Sequence, residues 1–115
     1  KVALKLNRAT NQASLKINIK PGWHINSNKP LENYLIPTEI KLDDNNLTQE
    51  NYPKAQVKAL AFNKEKLSLY EGKLNINIAL PKANKRTSHK LTLNLQACSD
   101  KICLQPENLE FHFWQ

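Results

Sequence analysis

Apolar residues recur at every second position along most of this chain, and that rhythm restricts it to strands. Leu74, Ile76, Ile78 and Leu80 make the strongest run. A period of two becomes one continuous apolar face only on a half-buried β-strand. The same alternation runs through Val2, Leu4 and Leu6, then Ala13, Leu15, Ile17 and Ile19, then Val57, Ala59 and Ala61. It returns in Leu91, Leu93 and Leu95, and in Leu109, Phe111 and Phe113. Lys20-Pro21-Gly22 breaks the pattern before a short strand at Trp23 to Asn26, and another strand over Ile36 to Leu42 starts at Pro37. Ser27 to Tyr34 reads as a polar loop, Asp43 to Tyr52 as a polar stretch with room for a helical turn, and Phe62 to Leu69 as a lysine-rich loop. Seven or eight strands without an amphipathic helix predict an all-β, immunoglobulin-like antiparallel β-sandwich, one domain spanning residues 1–115. Strands polar on one face suit antiparallel sheets with a solvated side.

A chain of 115 residues can bury a core without metals or several disulfides. It begins at Lys1 and contains neither a membrane-length apolar run nor a signal-peptide pattern. It is therefore expected to be a mature or excised piece of a longer protein. The net charge of +7 would suit nucleic acid or an anionic surface. However, the charge is spread over nearly every segment. Its densest patch, Lys82, Lys85, Arg86 and Lys90 with His89, reads as a solvated loop, and no aromatic residue falls between Leu80 and Cys103. Nucleic-acid surfaces interleave arginine and aromatic residues with such charge, so no nucleic-acid partner is expected.

The only two cysteines, Cys98 and Cys103, flank Ser99-Asp100-Lys101-Ile102 at the end of the Leu91–Leu95 pattern. A tight turn there sets the two cysteines opposite each other on a hairpin, within the Cα separation of about 4.4–6.8 Å that a disulfide spans. As a staple, so short a loop would remove little unfolded-state entropy, which favours a redox role. Lys101 and the N–H groups of the turn are placed to stabilise a thiolate, while Asp100 opposes them, so local charge predicts no large pKa depression. Phe62 is the best candidate for an apolar lid over the sulfurs, or else the last core residue of its strand. Tyr70 and Tyr34 are possible neighbours of the sulfurs and otherwise half-buried strand residues with the hydroxyl at the rim. Glu71 and Glu65 are possible proton-transfer helpers and otherwise solvated carboxylates, and Trp23 is expected in the core. His24, His89 and His112 sit on three distant segments, with His24 and His112 in the polar phases of their strands. That spacing argues against zinc or copper, and no serine lies in a nucleophile-elbow context.

Several segments carry a family resemblance: Pro21-Gly22-Trp23-His24-Ile25-Asn26, Tyr34-Leu35-Ile36-Pro37-Thr38, Tyr70-Glu71-Gly72, and Gln96-Ala97-Cys98 through Cys103-Leu104-Gln105-Pro106. In this order and spacing, from Pro21 to Phe113, the chain resembles the N-terminal periplasmic domains of the thiol:disulfide interchange protein DsbD, a bacterial membrane reductase. The resemblance implies an immunoglobulin-like, monomeric periplasmic domain acting as a protein-disulfide reductase without a small cofactor. Its partners would be thioredoxin-fold proteins: a reductase domain of the same membrane-anchored protein as electron donor, and disulfide isomerases and cytochrome c maturation thioredoxins as acceptors. The resemblance also makes Cys103 the sulfur of the mixed disulfide and Cys98 the resolving thiol, two roles that the residues alone leave nearly equal. The competing reading is an immunoglobulin-like binding or adhesion module with a structural disulfide.

Overall fold

Eleven strands carry the alternation into three antiparallel sheets in a computed structural model that describes residues 1–32, 34–60 and 63–115, with the side chains of all of these except Leu60, Asn63, Lys64 and Glu65. In chain order they are β1 (Val2–Asn7), β2 (Gln12–Asn18), β3 (Trp23–Asn26), β4 (Glu39–Leu42), β5 (Asn45–Asn46), β6 (Gln56–Leu60), β7 (Asn63–Tyr70), β8 (Lys73–Ala79), β9 (Ser88–Leu95), β10 (Ala97–Ser99) and β11 (Glu107–Trp114). A single 3₁₀ turn, Gln49–Asn51, occupies the polar stretch where a helical turn is expected. The first sheet has the order β1-β2-β8, the second β10-β3-β7-β6 and the third β11-β9-β4-β5.

One hydrophobic cluster joins the three sheets. Ala13, Leu15 and Ile17 of β2 and Ile76 and Ile78 of β8 meet Ile40 of β4 and Leu91, Leu93 and Leu95 of β9. The second sheet adds Ile25 and Tyr70. The chain thus forms the all-β immunoglobulin-like sandwich that its alternation predicts.

Three local expectations are overturned. The lysine-rich stretch expected as a loop over Phe62 to Leu69 is occupied from Asn63 by β7, whose Leu67 and Leu69 are buried and which lies between β3 and β6. The charges at its start hid a two-residue period that begins only at Leu67. The strand expected over Ile36 to Leu42 begins at Glu39, because the preceding backbone bonds elsewhere: Asn26 Nδ2 donates to Ile36 O at 2.9 Å and Thr38 N to Ser27 O at 3.2 Å. His89 and Lys90 belong to β9, and Lys90 pairs with Asp44 at 3.1 Å, so neither sits in the basic loop. The aromatic partner missing from that loop's own sequence comes from β11, where Arg86 lies 5.0 Å from the ring of Trp114.

His89 ties four distant segments together. Its buried ring places Nδ1 2.6 Å from Asp43 Oδ2 and Nε2 2.7 Å from Gln115 Oε1. The Gln115 amide is fixed in that orientation because its Nε2 donates to Asn11 Oδ1 and to Pro81 O. Both ring nitrogens therefore face acceptors, which requires the doubly protonated imidazolium. Burial opposes that charge, but the hydrogen bonds to Asp43 and Gln115 and the Asp43 carboxylate outweigh it and raise the His89 pKa above 6.5. Asp43 is likewise resisted by burial, yet its bonds to His89 and to Lys90 N hold its pKa below 3.8.

The stabilisation from a raised histidine pKa is complete below about 6.5 and fades as pH climbs through the folded value. The stabilisation from a lowered carboxyl pKa is present above about 3.9 and fades as pH falls through the folded value. Denaturant melts at stepped pH should show the clamp at full strength between about pH 4 and 6.5, weakening on the alkaline side. His89→Gln should cost about 1–3 kcal/mol at pH 6 and flatten that alkaline decline. An unchanged alkaline slope in the variant would refute the clamp.

Candidate functional site

The alternation that begins at Leu91 continues through Gln96, but the strand does not. At Gln96 the chain leaves the third sheet, and Ala97–Ser99 pairs with the outer edge of β3 in the second. The cysteine hairpin therefore belongs to a different sheet from the leucines that precede it. Gln96 holds the crossing point by donating from Nε2 to Leu104 O at 3.0 Å.

Ser99 makes the turn. Its N–H donates to Ile102 O at 2.7 Å, while its Oγ accepts from the N–H groups of Lys101 and Ile102, both at 3.1 Å. Leu104 N then donates to Ala97 O at 2.9 Å. These bonds bracket Cys98 and Cys103 as a non-hydrogen-bonded antiparallel pair, the arrangement in which opposed side chains lie closest. Their Cα atoms are 4.0 Å apart and their sulfurs are joined. The N–H groups of residues 101 and 102 are thus committed to Ser99 and cannot serve a thiolate, contrary to the expectation for the turn. The Lys101 side chain is exposed at the tip.

The two sulfurs occupy different environments. Cys98 is only 5% exposed, between β3 and the hairpin's return strand, whereas Cys103 is exposed on that outer strand. Ile102 and Leu104, the chain neighbours of Cys103, are 58% and 48% exposed, so apolar side chains are open on this edge strand.

The register across the second sheet sorts the remaining candidates. Ala97, Ile25 and Tyr70 stand opposite one another and face the hydrophobic cluster. Tyr70 is therefore a core residue on the sheet's other face from Cys98. Its hydroxyl donates to Asn28 Oδ1 at 2.9 Å, and burial raises its pKa. Cys98 stands opposite His24, and continuing the β3–β7 register by one residue sets Glu71 against His24. Cross-strand partners share a face, with Cβ atoms about 4.5–5.5 Å apart. The row Cys98, His24, Glu71 thus crosses the sheet on the sulfur side.

His24 is buried rather than on a wet face, because β10 covers the edge of β3 that alternation alone leaves open. Burial lowers its pKa, the Glu71 carboxylate partly offsets this, and Lys58 lowers it further. Glu71 is half-buried and ion-paired with Lys58. Gly22, Trp23, His24, Lys58, Glu71 and Asp100 line an open cleft of about 230 Å³ beside the hairpin. Trp23 is a half-buried wall of this cleft, opposite Ser99, and not a core residue.

Tyr34 is 69% exposed in a turn between β3 and β4 and is not a strand residue. Phe62 and the side chain of Glu65 lie outside the described residues. His112 faces Glu110 at 3.5 Å, and among the described residues no group of three or more histidine, cysteine or acidic side chains converges on a metal-sized site. Of the residues singled out in the sequence for the site, Cys98, Cys103, Glu71 and Lys101 come together around the hairpin. His24 joins them from the set considered only for metal. The signal that could have found it was its place two residues after Pro21-Gly22, at the start of the strand that meets the cysteines.

The difference in exposure has a direct consequence. After reduction, iodoacetamide should modify Cys103 at least about tenfold faster than Cys98, read by peptide mapping of partly alkylated protein. Equal rates would mean that the hairpin opens and both sulfurs are free.

The family described as "Thiol:disulfide interchange protein DsbD, N-terminal" matches residues 1–113. Among solved structures, the chain is similar to the crystal structure of the Neisseria meningitidis DsbD N-terminal domain in the reduced form. The two share 20% sequence identity with a TM-score of 0.63, over 97% of this chain and 83% of that one. No curated protein sequence matches the chain.

Proposed function

The chain belongs to the DsbD N-terminal domain family, and from that premise we propose that it is a periplasmic electron-transfer domain working through the reversible Cys98–Cys103 disulfide. The observation that carries this reading is the asymmetry of the pair: one cysteine buried, and one exposed on a sheet edge. A structural staple needs no such access, and the alternative of a binding module with an inert disulfide leaves the arrangement unexplained.

Two exchanges make up the cycle. A thiolate of a thioredoxin-fold reductase attacks Cys103 Sγ, the Cys98–Cys103 bond breaks, and its electron pair leaves on Cys98. The reductase's second thiol then displaces Cys103, so the donor departs as a disulfide and this chain holds two thiols. In the second half, Cys103 attacks an oxidised acceptor, and Cys98 displaces that acceptor in its reduced form. Two electrons and two protons pass in each turn, and the reaction uses no small cofactor.

The edge position suits this chemistry. As a non-hydrogen-bonded partner of Cys98, Cys103 directs its own N–H and C=O away from β10. Those groups are open to pairing with an extended segment of a partner. Ile102 and Leu104 supply a small apolar contact, in keeping with the limited interfaces of redox encounters. The 115 residues act as one monomeric exchange unit. The donor is a thioredoxin-like domain of a membrane-anchored reductase, and the acceptors are periplasmic isomerases and cytochrome c maturation thioredoxins. Among the described residues no helix is long and apolar enough to cross a membrane.

Single-cysteine variants test the assignment of roles. A thioredoxin-fold isomerase carrying only its attacking cysteine, activated with thionitrobenzoate, should form a stable mixed disulfide with Cys98→Ser. Cys103→Ser should form it at least about tenfold more slowly, since its remaining thiol is covered. Equal trapping by both variants would contradict the assignment.

A further inference from the structure

The Cys98, His24, Glu71 row gives the covered sulfur an ionisable neighbour. We propose that His24 is the proton acceptor for Cys98, taking the thiol proton when Cys98 closes the disulfide. The inference rests on the exchange cycle above and adds a residue to its second half.

Cys98 needs such a group. A thiol buried among apolar atoms is held in its protonated form, and only the thiolate attacks sulfur. Cys98 is also the sulfur that solvent reaches least. Lys101 extends from the tip into solvent, and the turn's N–H groups at residues 101 and 102 are already bonded to Ser99. Neither supplies what the buried thiol lacks.

His24 does. It is the direct cross-strand partner of Cys98 on β3, a strand held between β10 and β7 and thus fixed in position. Burial and the charges of Glu71 and Lys58 set its ionisation. The residue lines the open cleft together with Glu71, Lys58 and Asp100. These groups define its charge environment: Cys98 from β10, Glu71 at the end of β7, Lys58 from β6 and Asp100 from the hairpin tip. With Glu71 engaged by Lys58, burial prevails and the imidazole is neutral at pH 7, the state that accepts a proton.

The step balances as follows. The proton passes from Cys98 Sγ to the imidazole, and the thiolate attacks Cys103 Sγ in its mixed disulfide with the acceptor. The Cys98–Cys103 bond forms, the bond from Cys103 to the acceptor breaks, and the acceptor sulfur leaves with the electron pair. The imidazolium, opposed by the Glu71 carboxylate, returns its proton to water in the cleft.

The test uses the reduced chain and 2,2′-dithiodipyridine, and so requires no protein partner. Cys103 releases the first thiopyridone, and closure by Cys98 releases the second. The closure phase should fall as pH drops through a value below 6.5. His24→Gln should slow it at least tenfold at pH 7 and remove that inflection, leaving the first phase within twofold. Unchanged closure, or an inflection that survives in His24→Gln, would overturn the proposal. Should His24→Gln fail to fold, NMR of the His24 ring in Cys103→Ser alone decides: linked titration with Cys98 supports the proposal, and independent titration refutes it. A closure phase that behaves as expected in a protein that no thioredoxin-fold donor reduces would leave this inference standing and remove the electron-transfer reading instead.

Discussion

The pairing of Ala97–Ser99 with the edge of β3 is the contact on which the cysteine site depends. It takes the chain out of the third sheet at Gln96, buries Cys98 against β3 and aligns it with His24. The same pairing leaves the returning residues as the new edge, so Cys103 is reachable while its bonded neighbour is covered. Without that switch of sheets, the alternation of Leu91 to Ala97 would continue along β11, and both sulfurs would share one environment. The chemical difference between two cysteines five residues apart is therefore a property of topology and not of their immediate neighbours in the sequence.

The two buried histidines show how location decides ionisation. His89 sits between a carboxylate and an amide oxygen, and those acceptors overcome the cost of burial, so its pKa rises. His24 has a carboxylate nearby too, but Glu71 is ion-paired with Lys58, and burial wins. One histidine consequently serves as a charged clamp at one part of the sandwich, while the other is neutral beside the disulfide.

Much of this was legible in the amino-acid sequence, for definite reasons. The alternation in β1, β2, β8 and β11 is strict because each exposes one face and turns the other toward the shared core, and β9 keeps the same rhythm although its second face is largely covered. The hairpin at Cys98 to Cys103 was visible because a short polar turn between two cysteines leaves few geometries. The middle strand β7 is hidden in the sequence because its opening lysines and glutamate carry no apolar rhythm, and β3, one of the two strands that hold it, is remote in sequence. The face of Tyr70 is not legible locally, because it follows from the register with β3, which no local pattern contains. The burial of His24 is hidden for the same reason: its polar phase is wet only until another strand adds to that edge.

The measurement that bears most directly on a reversible Cys98–Cys103 couple is its reduction potential, obtained by equilibration in glutathione buffers with thiol trapping. A shuttle between thioredoxin-fold proteins should lie between about −270 and −120 mV, the span from thioredoxin to the strong periplasmic oxidants. A pair still oxidised below about −300 mV would behave as a structural bond, and the domain would then hold its fold without carrying electrons.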